Sequence, residues 1–402
     1  MLKRRRCLKN AFENTQKEEI IMKKILAFVM AAMMIIGMTA CSGGANYTEN
    51  NTEFIIGVSG PLTGGAAVYG VAVQNSAQMA VDEINAAGGL NGVMFKFIAT
   101  DDTHDATKVA ANYASMLEGG MQVSLGTVTT GPGLEYSKLS AEDNVFFLTP
   151  SASGDKIPEF DNGYQMCFAD GNQGKVAAEY VNSLGITEIG VFYKSDDAYS
   201  NGIFEQFKEN LDPSIATVET VFTGEASDFS SQISTLKDCS FIFMPIYYQP
   251  ASIFMTQAKG IIADNAVYYG CDGFDGLAGQ FEDFSVIPQE VSMLSHFDSN
   301  ATEGAAAEFV AKYTEKFGTD TLNQFGASAY DCIYAIYNAM NAAIEAGETI
   351  DVTISASELC EILKAQFNGG FTYSGVTGND ISWDESGYVA KGAVKYVLKE
   401  AN

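Results

Sequence analysis

Short apolar runs alternate with longer amphipathic stretches between residues 54 and 269, the rhythm of strands and helices in turn. Residues 54–58, FIIGV, form a nearly continuous apolar run rich in β-branched side chains, as a strand covered on both faces does. The run breaks into SGPLTGG over 59–65, a turn of residues that permit tight or left-handed backbone. A helical pattern follows over 67–87 and stops at Gly88 and Gly89. Residues 94–99, 121–125 and 145–148 read as three further strands, with helices over 105–118 and 134–142 between them. The rhythm then restarts, with helices over 175–184, 199–210, 233–236 and 251–259. Strands at 188–193, 217–222, 241–244 and 266–269 alternate with them. Helices at 304–317, 327–346 and 355–366 and a hairpin-like stretch at 371–398 complete the chain.

This order predicts an α/β fold of two units, each a doubly wound parallel sheet with helices on both faces. A cleft is expected where the C-terminal strand edges of the two units face each other. Tyr330, Tyr334, Ile336, Tyr337 and Met340 recur at helical spacing over 327–346, which reads as core packing rather than a ligand platform.

At 402 residues the chain is long enough for two domains, and 47% hydrophobic against 18% charged residues is a globular composition. The formal net charge is −27. Residues 1–40 hold 8 Lys/Arg and 3 Asp/Glu, which leaves 15 basic against 47 acidic residues in the remainder. So anionic a body argues against binding nucleic acid or anionic lipid headgroups.

The first forty residues read as an export signal. Met22, Lys23 and Lys24 open a basic start, residues 25–37 are apolar, and MTAC follows over 38–41. An apolar run of that length is too short to span a bilayer as a helix. Ending on Cys41, the segment looks like a lipoprotein signal in which Cys41 carries the lipid, although Met38 stands where an aliphatic such as Leu is usual. The alternative is an ordinary signal peptide with a chance cysteine. Translation is expected to begin at Met22, and residues 41–53 read as a polar tether. Beyond Cys7 and Cys41 lie five cysteines without a CxxC pair, better suited to buried thiols than to metal or redox work.

SGPLTGG with a following YG, DEINAAGGLNG over 82–92, and the pair Asp101 and Asp102 resemble type I periplasmic binding proteins of the leucine/isoleucine/valine class. The likeness runs from about residue 53 to the C-terminus. It implies two lobes joined by a three-strand hinge, with crossings near Asp170, Phe297 and Asp380. Lobe 1 would be 54–170 plus 297–380, and lobe 2 would be 171–296 plus 381–402. It also implies an ABC importer's solute-binding protein: a monomer, not an enzyme and without cofactor or metal, anchored outside the membrane and delivering an amino acid to permease subunits.

An amino acid brings a carboxylate and an ammonium, and each must find an explicit partner once water is expelled. By resemblance Thr130, Ser151 and Ser153 clasp the ligand's carboxylate and ammonium, with the Val128 carbonyl in the same loop. Thr130 replaces the more usual Ser and keeps the hydroxyl. Asp272 matches the acidic residue that receives the ammonium, where Glu also occurs. Tyr199 and Tyr247 match aromatic positions closing from the second lobe, and Tyr69 and Phe325 match the side-chain pocket. Asp170 is either a further polar contact near the hinge or the N-cap of the next helix.

Asp101, Asp102 and Asp105 suit a strand–helix turn better than metal or acid/base chemistry. His104 and His296, the two histidines, have no partner at ligand spacing. No nucleophile elbow occurs, because GVSG over 57–60 has its glycines misplaced. The remaining alternatives are another small solute (an amide, urea or an aromatic acid) in the same fold, a sensory ligand-binding module, and a hydrolase for which no nucleophile and base are in view.

Overall fold

The computed structural model describes residues 47–401, so the expected signal segment and Cys41 lie outside the described residues. Strand β1 (Phe54–Gly60) is buried at every position and sits between β2 (Phe95–Asp101) and β3 (Val123–Ser124). Its pairing with β2 is parallel and unbroken from Phe54 opposite Phe95 to Gly60 opposite Asp101. The five-stranded sheet ends with β4 (Phe147–Thr149) and β5 (Gly163–Gln165), also parallel.

Between these strands run α1 (Ala67–Ala86), α2 (Val109–Glu118) and α3 (Thr130–Asp143). The turn between β1 and α1 is tight because Gly70 packs on it. A Cβ at Gly70 would stand 2.1 Å from the Pro61 carbonyl oxygen. No other residue type fits there without moving backbone.

The second, six-stranded sheet holds β6 (Glu188–Lys194), β7 (Ala216–Phe222), β8 (Phe241–Met244), β9 (Val267–Gly270) and β10 (Glu290–Ser295) in parallel pairings. Helices α4 (Asp170–Ser183), α5 (Ala198–Asn210), α6 (Ser230–Leu236) and α7 (Tyr248–Ala258) alternate with them. Helices α8 (Gly304–Phe317), α9 (Gln324–Glu345) and α10 (Ala356–Asn368) then follow, and α9 and α10 pack on the first sheet. The last strand, β11 (Val394–Lys399), returns to the second sheet antiparallel to β10, with a register shift at Val291 and Ser292.

The doubly wound reading therefore holds in both sheets, and three details differ. The stretch at 371–398 is not a hairpin. It makes isolated bridges, Tyr373 to Ile381 and Trp383 to Val389, and β11 finds its partner 100 residues upstream in β10 rather than in its own neighbourhood. The Trp383 indole N–H donates to the Gln165 carbonyl at 2.7 Å, tying that stretch to the end of β5. Strands β5 and β10 have no counterpart among the expected strands. Helices α3 and α4 begin four and five residues earlier than their apolar periodicity suggests, at Thr130 and Asp170.

The stripe on α9 is core as expected: Tyr330, Ile336 and Met340 are buried. Tyr330 and Tyr334 donate their hydroxyls to Glu83 at 2.6 and 2.9 Å. The five cysteines among the described residues are buried free thiols.

Candidate functional site

The segments that follow β1, β3 and β4 and those that follow β6, β8 and β9 come together on one small cavity. Its lining contains all nine residues singled out from the sequence: Tyr69, Val128, Thr130, Ser151, Ser153, Tyr199, Tyr247, Asp272 and Phe325. Thr129, which no sequence signal singles out, is the tenth. Every one of them is buried except Tyr247, which is half-buried.

From the first sheet the polar groups come on two loops. Thr130 opens α3, so the loop after β3 brings a helix N-terminus, with its unpaired N–H groups, to the cavity. The loop after β4 is shaped by Thr149. Its hydroxyl donates to the Thr127 carbonyl at 2.8 Å and accepts the Ala152 N–H at 3.0 Å, locking the two loops side by side. The Thr130 hydroxyl donates to Oδ2 of Asp170 at 3.2 Å. Asp170 is thus a side-chain partner of the site and not the N-cap of α4, a position that Ala169 occupies. Its other oxygen, Oδ1, is buried with no hydrogen-bond partner.

From the second sheet, Asp272 follows β9 on a short 3₁₀ turn. Tyr199 donates to its Oδ1 at 2.7 Å, and the same phenol oxygen accepts the Gly273 N–H at 2.8 Å. The Asp272 N–H donates to Gln173 Oε1 at 3.0 Å. Gly273 is required for this turn: a Cβ there would lie 2.7 Å from the Tyr199 hydroxyl and 2.8 Å from the Ile246 carbonyl. The Tyr199 and Tyr247 rings stack at 4.6 Å and 15°. The Tyr247 hydroxyl is buried without a partner.

Tyr69 crosses from one sheet's side to the other, donating to the Gly273 carbonyl at 2.6 Å. Phe325 meets the Tyr69 ring edge-on at 4.9 Å. Asn323 positions it by capping α9, accepting the N–H groups of Phe325 and Gly326 at 3.0 and 2.9 Å.

The lining carries one carboxylate and no basic side chain. Burial pushes Asp272 up to about 7 against the hydrogen bonds from Tyr199, Gln173 and Gly273. Asp170 is raised as well, by burial first and then by the negative charge of Asp272. A site of this kind is short of positive charge, and it has hydroxyls and helix N–H groups to spare for an anion.

Asp101 and Asp102 serve the turn, as expected. Asp101 accepts the Thr63 hydroxyl and the Leu62 N–H, and Asp102 accepts the Ser59 hydroxyl and the His104 N–H. Asp105 accepts the Thr107 N–H. Among the described residues no group of three or more His, Cys, Asp and Glu comes together as a metal site. Among them, too, no helix is long and apolar enough to cross a membrane.

A sequence profile of the periplasmic binding proteins matches residues 53–391. The Leu/Ile/Val-binding protein BraC3 of Rhizobium johnstonii is 29% identical over 229 residues, covering 56% of this chain and 62% of that one. The Leu/Ile/Val-binding protein homolog 3 of Brucella melitensis is 31% identical over 193 residues, 46% of this chain and 51% of its own. These matches span about half to three fifths of the curated relatives' length. Among solved structures, the branched-chain amino acid transporter substrate-binding protein LivJ of Streptococcus pneumoniae, in complex with isoleucine, superposes with a TM-score of 0.74. It is 24% identical, over 87% of this chain and 96% of that one. A solute-binding protein of Rhodopseudomonas palustris in complex with 3,4-dihydroxy benzoic acid also reaches 0.74, at 18% identity over 87% and 94%. At these identities the likeness is one of fold.

Proposed function

The chain belongs to the periplasmic binding protein family, and from that premise we propose that it captures a small amino acid, branched-chain or otherwise aliphatic, for an ABC importer. Two lobes, 54–170 plus 297–380 and 171–296 plus 381–402, would close on the ligand about a three-strand hinge. Thr130, Ser151, Ser153 and the Val128 carbonyl would grip the zwitterion from one lobe and Asp272 from the other, with Tyr69, Tyr199, Tyr247 and Phe325 around its side chain. Closure would change the surface that permease subunits meet. The protein would act as a monomer outside the cell, held to the membrane by lipid on Cys41, and would make or break no bond.

The observation that carries this reading is Asp272: a buried carboxylate, at the mouth of a helix-bearing hydroxyl cluster, in a lining without a basic group. An ammonium from the ligand supplies the missing charge, and its carboxylate meets the hydroxyls and the α3 N-terminus. The curated relatives named for leucine, isoleucine and valine support the ligand class.

A second reading is an aromatic acid, favoured by the four aromatic rings in the lining and by the fold shared with the R. palustris protein. Thermal shift of the purified protein against the twenty amino acids, simple amides, urea and benzoates separates the two, since a ligand bound to the folded state raises Tm. A rise with Leu, Ile, Val or Ala supports the amino-acid reading. Silence from every amino acid with a rise for a benzoate overturns it.

A further inference from the structure

His104 lies behind the ligand cavity and touches both sides of it. Its Nδ1 shares a hydrogen bond of 2.9 Å with the hydroxyl of Thr129, a lining residue from the first sheet's side. Its ring meets that of Tyr247, a lining residue from the second, edge-on at 5.2 Å and 83°. Its Nε2 points at Oδ1 of Asp197, 4.0 Å away at the start of α5. On its far side a second cavity opens, lined by Thr103, His104, Lys194, Tyr247 and Gln249 among others. His104 and Tyr247 are therefore the partition between the two spaces.

The backbone is strained to put the ring there. Thr103 and His104 both have positive φ, 52° and 63°, which non-glycine residues rarely adopt. Asp102 sustains that conformation by accepting the His104 N–H at 2.9 Å. Strain of this sort persists where the surroundings over-determine it, and often at sites that do something.

We infer that His104 is a positioning residue of the ligand site, holding Thr129 and Tyr247 against a bound ligand and sealing it from the outer cavity most firmly while the imidazole is neutral. The inference rests on the solute-binding reading above.

The charges that face the ring are Asp197 at the head of α5, Lys194 at the end of β6, Glu225 in the loop after β7, and Asp102 and Asp105 on its own turn; Tyr247 faces it as a neutral phenol. Burial and Lys194 lower the histidine's affinity for a proton; Asp197, Glu225 and Asp105 raise it, and burial prevails. Opening the cleft would expose the ring to water and lift the burial that lowers its affinity for a proton. Protonation thus favours the open form. Ligand affinity falls as pH drops through the histidine range, by at most about ten-fold at about pH 5.5.

Calorimetric titration with L-leucine at about pH 7.5 and about pH 5.5 tests this in the wild-type chain, H104N and H104A. Asn tolerates left-handed backbone, can reach the Thr129 hydroxyl and does not titrate, so H104N keeps most of the affinity and loses the histidine's share of the acid weakening. H104A dissociates faster and binds about ten-fold or more weakly, a loss of the size expected when a hydrogen bond and a ring contact go together. Equal acid weakening in wild type and H104N overturns the inference, and if H104A fails to fold that comparison alone decides.

Absence of heat from the wild-type chain shows separately that L-leucine is not the ligand. The chain has two histidines, so ring resonances followed by NMR then test His104 directly. A ring whose titration moves in T129V supports its role, and one whose titration ignores T129V overturns it.

Discussion

The phenol of Tyr199 donates to Oδ1 of Asp272 at 2.7 Å and accepts the Gly273 N–H at 2.8 Å, so one hydroxyl fixes both the carboxylate and the turn that carries it. Mutation can separate the two roles. D272A removes the cavity's one lining carboxylate and leaves the Tyr199 hydroxyl still holding Gly273. It should abolish amino-acid binding in calorimetry while the ligand-free protein keeps its circular dichroism spectrum. Unchanged affinity would falsify the assignment of Asp272.

Y199F is the subtler change. It strips a buried carboxylate of one donor and a buried N–H of its acceptor, a loss of about 1–3 kcal/mol when the groups cannot reach water. Tm should fall by several degrees and L-leucine should bind more weakly. A variant as stable as the parent would mean that water enters the site and replaces the phenol.

Buried acid groups in and near the site make the ligand-free protein's stability depend on pH in an unusual direction. Asp272 is raised to about 7, and Asp102 and Asp275 to about 6, each chiefly by burial. Folded values above the unfolded one mean that the folded state holds these protons more tightly. Their contribution is full below about pH 4, the unfolded value, and is lost as pH rises through about 6 to 7. Urea midpoints of the ligand-free protein should therefore decline between about pH 5 and about pH 8, and D272N should flatten part of the decline. His296, buried and held well below the ordinary histidine value, works the other way at the acid end, where its protonation in the unfolded chain costs stability. An identical pH profile in D272N and the parent would show that Asp272 is ionised in the empty site.

Much of this was legible in the sequence because strand, turn and helix signals are local. The run at 54–58, the glycines after it and the repeating rhythm sufficed for two doubly wound sheets, and the family likeness sufficed to gather nine lining residues scattered from Tyr69 to Phe325. What stayed hidden depends on partners far along the chain. Strand β5 is three residues long and is a strand because Gly163 and Gln165 lie beside Phe147 and Thr149. Strand β11 is amphipathic and unremarkable until β10 claims it. Thr130 and Asp170 are polar and open their helices, so apolar periodicity starts each helix too late and hides the N-terminus that faces the site. His104 looks idle in the sequence because metal spacing involves other histidines and cysteines, whereas its partners are a threonine, a tyrosine and an aspartate.

Asn323 is not itself in the cavity lining but holds one member of it. Its Oδ1 accepts the Phe325 and Gly326 N–H groups at the start of α9, and its Nδ2 donates to the Val68 carbonyl, beside Tyr69, at 3.2 Å. One side chain thereby links the start of the helix that carries Phe325 to the helix that carries Tyr69. Asp can cap the helix as Asn does but cannot donate to Val68, whereas Ala can do neither. N323D should lower Tm, because a carboxylate oxygen then faces the Val68 carbonyl at a buried position, and should weaken ligand binding. N323A should lose about 1 kcal/mol of stability as a missing cap does, together with the affinity. Equal affinity in N323D and the parent would show that the cap alone places Phe325, and that the link to Val68 does nothing for the pocket.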